Sequence, residues 1–148
     1  MNIPFDSNWT LFLDRDGVIN KRIPGQYVRL WEEFEFLPGV LEALSLFQSI
    51  FGRIVIVTNQ QGIGKDLMTE ADLEAVHRQM LQEIHATGGR IDGVYHCPDL
   101  AYENSFCRKP NPGMAYQAKK DFPEIDFKRS LMAGNSLSDI QFGCRLGM

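Results

Sequence analysis

The sequence predicts an α/β fold, a doubly wound Rossmann-like parallel sheet flanked by helices under a minimal cap, formed as a single domain over residues 1–148. Three observations carry that expectation. Residues 54–57 (IVIV) are a continuous β-branched run without alternation, the pattern of a parallel strand covered on both faces. Strand-like and helix-like segments alternate as βαβαβαβα, which implies right-handed crossovers. All but one of the strands lead into polar clusters, and ligands of open α/β sheets bind outside the carboxyl ends of the strands.

Residues 2–8 are polar and proline-bearing and read as a lead-in. Leu11, Phe12 and Leu13 form the first strand, which delivers Asp14 and Asp16 to its carboxyl end before Gly17 turns the backbone away. Residues 21–35 have neither period and read as a long loop over the strand ends. The loop is either a lid or a segment pinned to the core by Tyr27, Trp31 and Phe34, with Phe36 just beyond it. Pro38 and Gly39 open a helix with the apolar face Val40, Leu41, Leu44, Phe47 and Phe51. The strand at 54–57 ends in Thr58, Asn59 and Gln60. A glycine-bearing turn then leads to a capping box, Thr69 to Asp72, and to a helix striped by Leu73, Val76, Met80, Leu81 and Ile84. His77 shares that spacing and reads as a histidine packed at the helix flank. Gly88 and Gly89 stop the helix. There follow a strand over 91–95, an irregular stretch ending in Arg108, Lys109 and Pro110, and a helix from Pro112 to about Asp121. A strand over 131–133 ends in Gly134, Asn135 and Ser136, and a last helix runs from Ser138 to about Leu146. Gly147 is where such a helix stops and a connection begins, so one more strand is expected than the sequence supplies.

Composition narrows the partners. A formal net charge of −4 offers no electrostatic footprint for nucleic acid or an acidic membrane, so neither is expected as a partner. No apolar run approaches the roughly 18 residues of a membrane span, and the first ten residues lack a signal-peptide pattern, so a soluble, cytoplasmic monomer is expected. Three cysteines, an odd number, read as free thiols or metal ligands rather than a disulfide framework, with Cys144 as buried filler. His77, His85 and His96 share no metal-ligand spacing. Gly62, Gly64 and Lys65 suggest a nucleotide phosphate loop, but Asp66 follows and the glycine spacing is wrong.

Four clusters brought to one sheet edge could surround one small phosphate ester. Asp14 and Asp16, flanking an arginine at an apolar strand end, would repel one another without a cation, so a cation is the first inference. Asp14 is the candidate nucleophile, forming an aspartyl-phosphate, and Asp16 the acid/base. Lys109 offsets the charge that nucleophile and phosphate share, while Thr58, Asn59 and Gln60 are candidates to hold the substrate. Mg2+ would relieve the remaining repulsion, held by Asp14, Asp16, Asn135 and Asp139.

The segments FLDRDGVIN, TNQQGIG, CRKPNPGM and GNSLSDIQFG together resemble those of the haloacid dehalogenase-type phosphatases. Within them they most resemble the family of D-glycero-D-manno-heptose 1,7-bisphosphate and histidinol-phosphate phosphatases. The resemblance implies a cytoplasmic hydrolase that removes the 7-phosphate of the heptose bisphosphate during assembly of lipopolysaccharide core heptose. Histidinol phosphate, or binding of a sugar phosphate without turnover, are the alternatives. It gives Asp14, Asp16, Thr58, Asn59 and Lys109 the roles above, makes Arg108 a substrate contact, and has the backbone carbonyl of Asp16 bind the metal. Two departures stand out. Asn135 replaces the family's usual aspartate and is a weaker magnesium ligand. The family's zinc loop reads Cys97, Asp99, Ser105 and Cys107 here, and two thiolates seldom close a four-ligand site, so no structural Zn2+ is expected. Lys21, Arg22, Arg29 and Arg108 are candidates for a distal phosphate.

Overall fold

The computed structural model describes residues 4–148. Four parallel strands, β1 (Thr10–Leu13), β2 (Arg53–Asn59), β3 (Gly93–Cys97) and β4 (Ser130–Ala133), lie in the order β3-β2-β1-β4. Four helices, α1 (Val40–Phe47), α2 (Glu70–Ala86), α3 (Gly113–Asp121) and α4 (Leu137–Leu146), cover the two faces. The chain starts at a central strand, steps outward through β2 and β3, then returns across β1 to place β4 on its other side. That reversal puts the topological switch between β1 and β4, where a doubly wound sheet opens a crevice at its carboxyl edge.

The two-residue period of a strand divides the core. Leu11, Leu13, Ile54 and Ile56 face Leu44 of α1 and Val76, Met80 and Ile84 of α2. Phe12, Val55 and Val57 face the opposite way, against Met114, Ala115 and Ala118 of α3 and Phe142 of α4. Both faces of β1 and β2 are therefore apolar, which is why neither strand alternates in sequence.

Element boundaries shift from expectation by a residue or two, most clearly at α1 and β3. α1 ends at Phe47, and Phe51 is reached through a further turn in which its N–H donates to the Phe47 carbonyl at 2.9 Å. β3 begins at Gly93 and reaches Cys97, two residues later than expected at each end. Asp92 causes the delay: its carboxylate accepts from Ile54 N at 2.8 Å and from Arg90 Nε at 3.1 Å, which holds Asp92 as a brace beside β2.

Both readings of the 21–35 loop hold, for different residues. Trp31, Phe34 and Phe36 pack on one another with ring centroids 4.9 and 5.0 Å apart and pin the loop's end to the core, whereas Arg22, Ile23, Gln26 and Tyr27 line the crevice. The capping box of α2 is present in both directions: Thr69 Oγ1 accepts from Asp72 N at 3.1 Å, and Asp72 accepts from Thr69 N at 2.8 Å. Replacing Thr69 with Ala is expected to cost about 1 kcal/mol in urea unfolding, a typical loss for an N-cap hydroxyl; an unchanged midpoint would show that the cap contributes nothing here.

Candidate active site

The carboxyl end of β1 is tied to β4 by Asp14 N, which donates to the Ala133 carbonyl at 3.0 Å. Gly17 has φ +86°, and the side-chain amide of Asn135 fills the space where a Cβ would stand, so only glycine lets this loop approach the end of β4. Beneath them lies the ammonium of Lys109, a residue only 3% exposed. It donates to Asp14 Oδ1 at 2.9 Å, to Asp139 Oδ1 at 2.7 Å and to the Val57 carbonyl of β2 at 2.8 Å, so its three protons have three acceptors. Asn59 holds the Lys109 backbone from both sides: its Oδ1 accepts from Lys109 N at 3.0 Å and its Nδ2 donates to Lys109 O at 3.2 Å, beside a cis Lys109-Pro110 bond.

Asp139 sits in the first turn of α4, whose capping box the sequence spells as Ser136 to Asp139. Its second oxygen accepts from Asn135 N, Ser136 N and Ser136 Oγ at 3.1, 3.1 and 2.8 Å. That carboxylate is committed to Lys109 and the helix start. Two carboxylates thus share one ammonium in a buried place. Burial, with the charge of Asp139, raises the Asp14 carboxyl above its ordinary value despite Lys109. The Asp139 carboxyl, which burial alone would raise, is lowered by Lys109 and Ser136. An excess of negative charge remains. Asp14 Oδ2 has no protein hydrogen-bond partner and Asp14 lines the crevice, with the Asn135 amide close to the Asp16-Gly17 turn, so the oxygen donors present fit a hard divalent cation.

Asp16 is held by a network the sequence did not announce. Its carboxylate accepts from Arg15 Nη2, Asn20 Nδ2 and Gln60 Nε2, each at 2.9 Å. Burial alone would raise this carboxyl, but the Arg15 guanidinium and the amide donors outweigh it and hold it below the usual carboxylate range. Arg15 is itself fully buried, and its Nη1 donates to His77 Nε2 at 3.0 Å. Burial and the adjacent guanidinium push His77 down to about 3, so the ring is neutral and accepts through Nε2. His77 packs at the helix flank as expected, with a bond to Arg15 besides. The detectable signal was an arginine between two aspartates at the end of an apolar strand, which has to be buried with acceptors on its far side.

A crevice of about 360 Å³ lies over this floor, and Asp14, Asp16, Asn59, Arg108, Lys109, Asn135 and Asp139 line it. Thr58 and Gln60 do not. Both are about 1% exposed, and Gln60 Nε2 joins Thr58 Oγ1 to Asp16, so they brace the site from behind. Of the distal-phosphate candidates, Arg22 and Arg108 reach the crevice. Lys21 is paired with Glu35 at 2.6 Å and Arg29 with Glu33 at 3.7 Å, away from its lining. Lys65, set aside with the false phosphate loop, does line it.

Two expectations for cysteine are corrected. Cys97 and Cys107 are joined as a disulfide, with Cα atoms 5.4 Å apart, because the loop after β3 returns beside its own start. Cys144 is exposed on α4, the helix burying Phe142 and Gly143 instead. The four zinc-loop positions do gather. Ser105 Oγ lies 3.5 and 3.4 Å from the two sulfurs, and ligand atoms of Cys97, Asp99 and Cys107 lie within 4.8 Å of one another. Sulfurs bonded to each other have no thiolate for zinc, so the set as it stands does not fit that ion.

Residues 3–139 match the family described as polynucleotide kinase 3 phosphatase. The chain belongs to this family. It is a phosphatase of the haloacid dehalogenase type and a phosphoric monoester hydrolase, as the four segments implied. The D-glycero-alpha-D-manno-heptose-1,7-bisphosphate 7-phosphatase of Mycobacterium bovis is 42% identical over 133 residues, covering 90% of this chain and 70% of that protein. The D-glycero-beta-D-manno-heptose-1,7-bisphosphate 7-phosphatase of Helicobacter pylori is 39% identical over 140 residues, covering 93% and 79%. Among solved structures, the D,D-heptose 1,7-bisphosphate phosphatase from B. bronchiseptica, complexed with magnesium and phosphate, superposes with a TM-score of 0.86 at 33% identity over 94% of this chain and 76% of that one.

The neutral His77 makes stability depend on pH. Its proton affinity in the fold corresponds to about 3, against 6.5 when free, so between those values the unfolded chain binds more protons and stability falls as pH drops through the window. At pH 5 the cost approaches about 2 kcal/mol, from roughly 1.4 kcal/mol per pH unit. Urea unfolding at neutral pH and at pH 5 is expected to show the wild type losing about 2 kcal/mol more than His77→Gln, which keeps an acceptor but does not titrate. Equal losses would mean that His77 is not held neutral.

Proposed function

We propose that the chain hydrolyses the 7-phosphate of D-glycero-D-manno-heptose 1,7-bisphosphate, with magnesium, in the cytoplasm and as a monomer. The observation that carries the reading is the Lys109 ammonium bonded to Asp14 and Asp139 beneath a small polar crevice, in a chain about 40% identical to phosphatases of that name. The product would enter assembly of the activated heptose of lipopolysaccharide core. The partner is a small sugar phosphate, and neither nucleic acid nor membrane is involved. Among the described residues no helix is long and apolar enough to cross a membrane.

Asp14 Oδ2, the oxygen not bonded to Lys109, attacks the phosphorus. The bond from phosphorus to the sugar oxygen breaks, and that oxygen leaves with the electron pair and takes a proton from Asp16, yielding the sugar alcohol and an aspartyl-phosphate. Asp16 is then the carboxylate that the Arg15, Asn20 and Gln60 donors favour, and it takes a proton from water as the water oxygen attacks the phosphorus. Phosphate departs and Asp14 is restored. Lys109 favours the ionised form of Asp14 against burial and offsets charge on the transferring group. Asn59 and Arg108 contact the substrate, whereas Thr58 and Gln60 act through the Asp16 network. Asp14, the backbone carbonyl of Asp16 and Asn135 would hold Mg2+, with the Asp139 carboxylate already committed to Lys109. The ion supplies charge neutralisation between nucleophile and phosphate.

Phosphate release from the heptose bisphosphate is expected to require magnesium, to stop with excess chelator and to be abolished in Asp14→Asn. Faster turnover of histidinol phosphate would reassign the substrate, and saturable binding without turnover at any magnesium concentration would favour a non-catalytic module. Asn135→Asp restores a charged ligand and is expected to lower the magnesium concentration for half-maximal rate by about tenfold; an unchanged value would place residue 135 outside the metal's ligands.

A further inference from the structure

The loop from β3 to Lys109 is closed on itself by the Cys97–Cys107 disulfide, and the two cysteines stand in different surroundings. Cys97 is the last residue of β3, fully buried, and its carbonyl accepts from Gln60 N at 2.8 Å, so the sheet fixes it. Cys107 is half-buried, directly before Arg108 and Lys109. The bond therefore fastens a surface loop to the sheet at the point where that loop enters the crevice.

Little else holds the loop. None of residues 98–106 is buried, Tyr102 and Phe106 are 83% and 62% exposed, and the regular structure is a single turn, Ala101–Glu103. Such a segment has the few buried contacts of a region that opens locally. The two residues beyond the bond depend on it unequally. Lys109 has anchors of its own, in three acceptors for its ammonium and the Asn59 amide across its backbone. The Arg108 guanidinium, among the described residues, has one hydrogen bond, 3.4 Å to the Asp99 carbonyl inside the closed ring. Opening the ring would leave the floor of the crevice in place and free Arg108.

The surroundings also suit the open form. Cys107 Sγ lies 3.5 Å from Asp99 Oδ2 and 3.4 Å from Ser105 Oγ, and Cys97 Sγ lies 3.5 Å from the same hydroxyl, so each thiol has an oxygen to donate to. Sulfurs provided for in both states, in a chain read as cytoplasmic, fit a bond that forms and breaks rather than one that persists.

We propose that Cys97 and Cys107 form a reversible redox clasp that positions Arg108 and thereby sets how tightly the phosphatase holds its substrate. The proposal rests on the compartment and substrate reading above. Opening proceeds by exchange with a small cytoplasmic thiol. Its thiolate attacks the half-buried Cys107 sulfur, the disulfide bond breaks, and Cys97 leaves with the electron pair and takes up a proton. A second thiolate attacks the small-molecule sulfur of the mixed disulfide, and Cys107 leaves and is protonated. Two small thiols have then been oxidised to one disulfide and two cysteines reduced; excess of that disulfide runs the steps backwards.

The test equilibrates the full chain with reduced or oxidised glutathione, counts free thiols by alkylation and mass, and measures kcat and KM for the heptose 1,7-bisphosphate with magnesium in excess. Reduction is expected to raise KM about fivefold and to change kcat by less than about twofold, the pattern of lost uniform binding. It is also expected to speed chymotryptic cleavage after Tyr102 and Phe106 about tenfold, and reoxidation to reverse both effects. Cys97→Ser with Cys107→Ser is expected to show the high KM in both buffers, and Cys144→Ser to respond as the wild type does. An equal KM in the two buffers, a change carried by kcat, or a response that survives in the double variant overturns the clasp. So does a reduced chain that takes up one zinc ion and keeps the low KM. No turnover of the heptose bisphosphate in either buffer overturns the substrate reading alone, and KM for p-nitrophenyl phosphate then decides the clasp.

Discussion

The structure of the site depends on a buried ammonium with three acceptors. Lys109 comes from a loop after β3 yet binds β1 through Asp14, β2 through the Val57 carbonyl and α4 through Asp139. The ammonium lowers the Asp139 carboxyl and offsets part of the burial that raises that of Asp14. The same bonds fasten three parts of the chain to the sheet edge. Charge balance explains the opening above them: two carboxylates against one ammonium leave the crevice attractive to a further cation.

The two aspartates proposed for catalysis stand two residues apart in sequence and are separated by environment. Asp14 faces the crevice with one oxygen free, and burial raises its carboxyl. Asp16 is held by Arg15, Asn20 and Gln60, which lower its own. Arg15 separates them sterically and electrostatically, lying behind the strand end and facing His77 across the core. Divergent environments for neighbouring carboxyls are how one fold assigns nucleophile and proton-transfer roles.

The rim follows different physics. Floor groups are buried and bonded to one another. The rim cations are solvated, and their position comes from the hydrogen-bonded 60–67 turn and from Tyr27 packed on Gly62. Rim residues can thus change without disturbing the floor.

Much of this was legible in order along the chain. The β-branched run at 54–57 declared a strand covered on both faces, Thr69 and Asp72 declared a helix start, and acids at an apolar strand end declared chemistry, because period, capping and burial of like charges are local rules. Nothing local says what a side chain meets across the sheet. That Gln60 serves Asp16 instead of substrate, that Asp139 is taken by Lys109, that Cys97 and Cys107 meet, and that Lys65 reaches the crevice while Lys21 does not, are all contacts between distant segments. The sequence by itself determined the parallel fold and the residue types at its carboxyl edge, since each strand and turn answers to its own neighbours. Only the tertiary structure decided which of those residues face the crevice and which face one another, since that depends on how the strands are ordered and where the loops return.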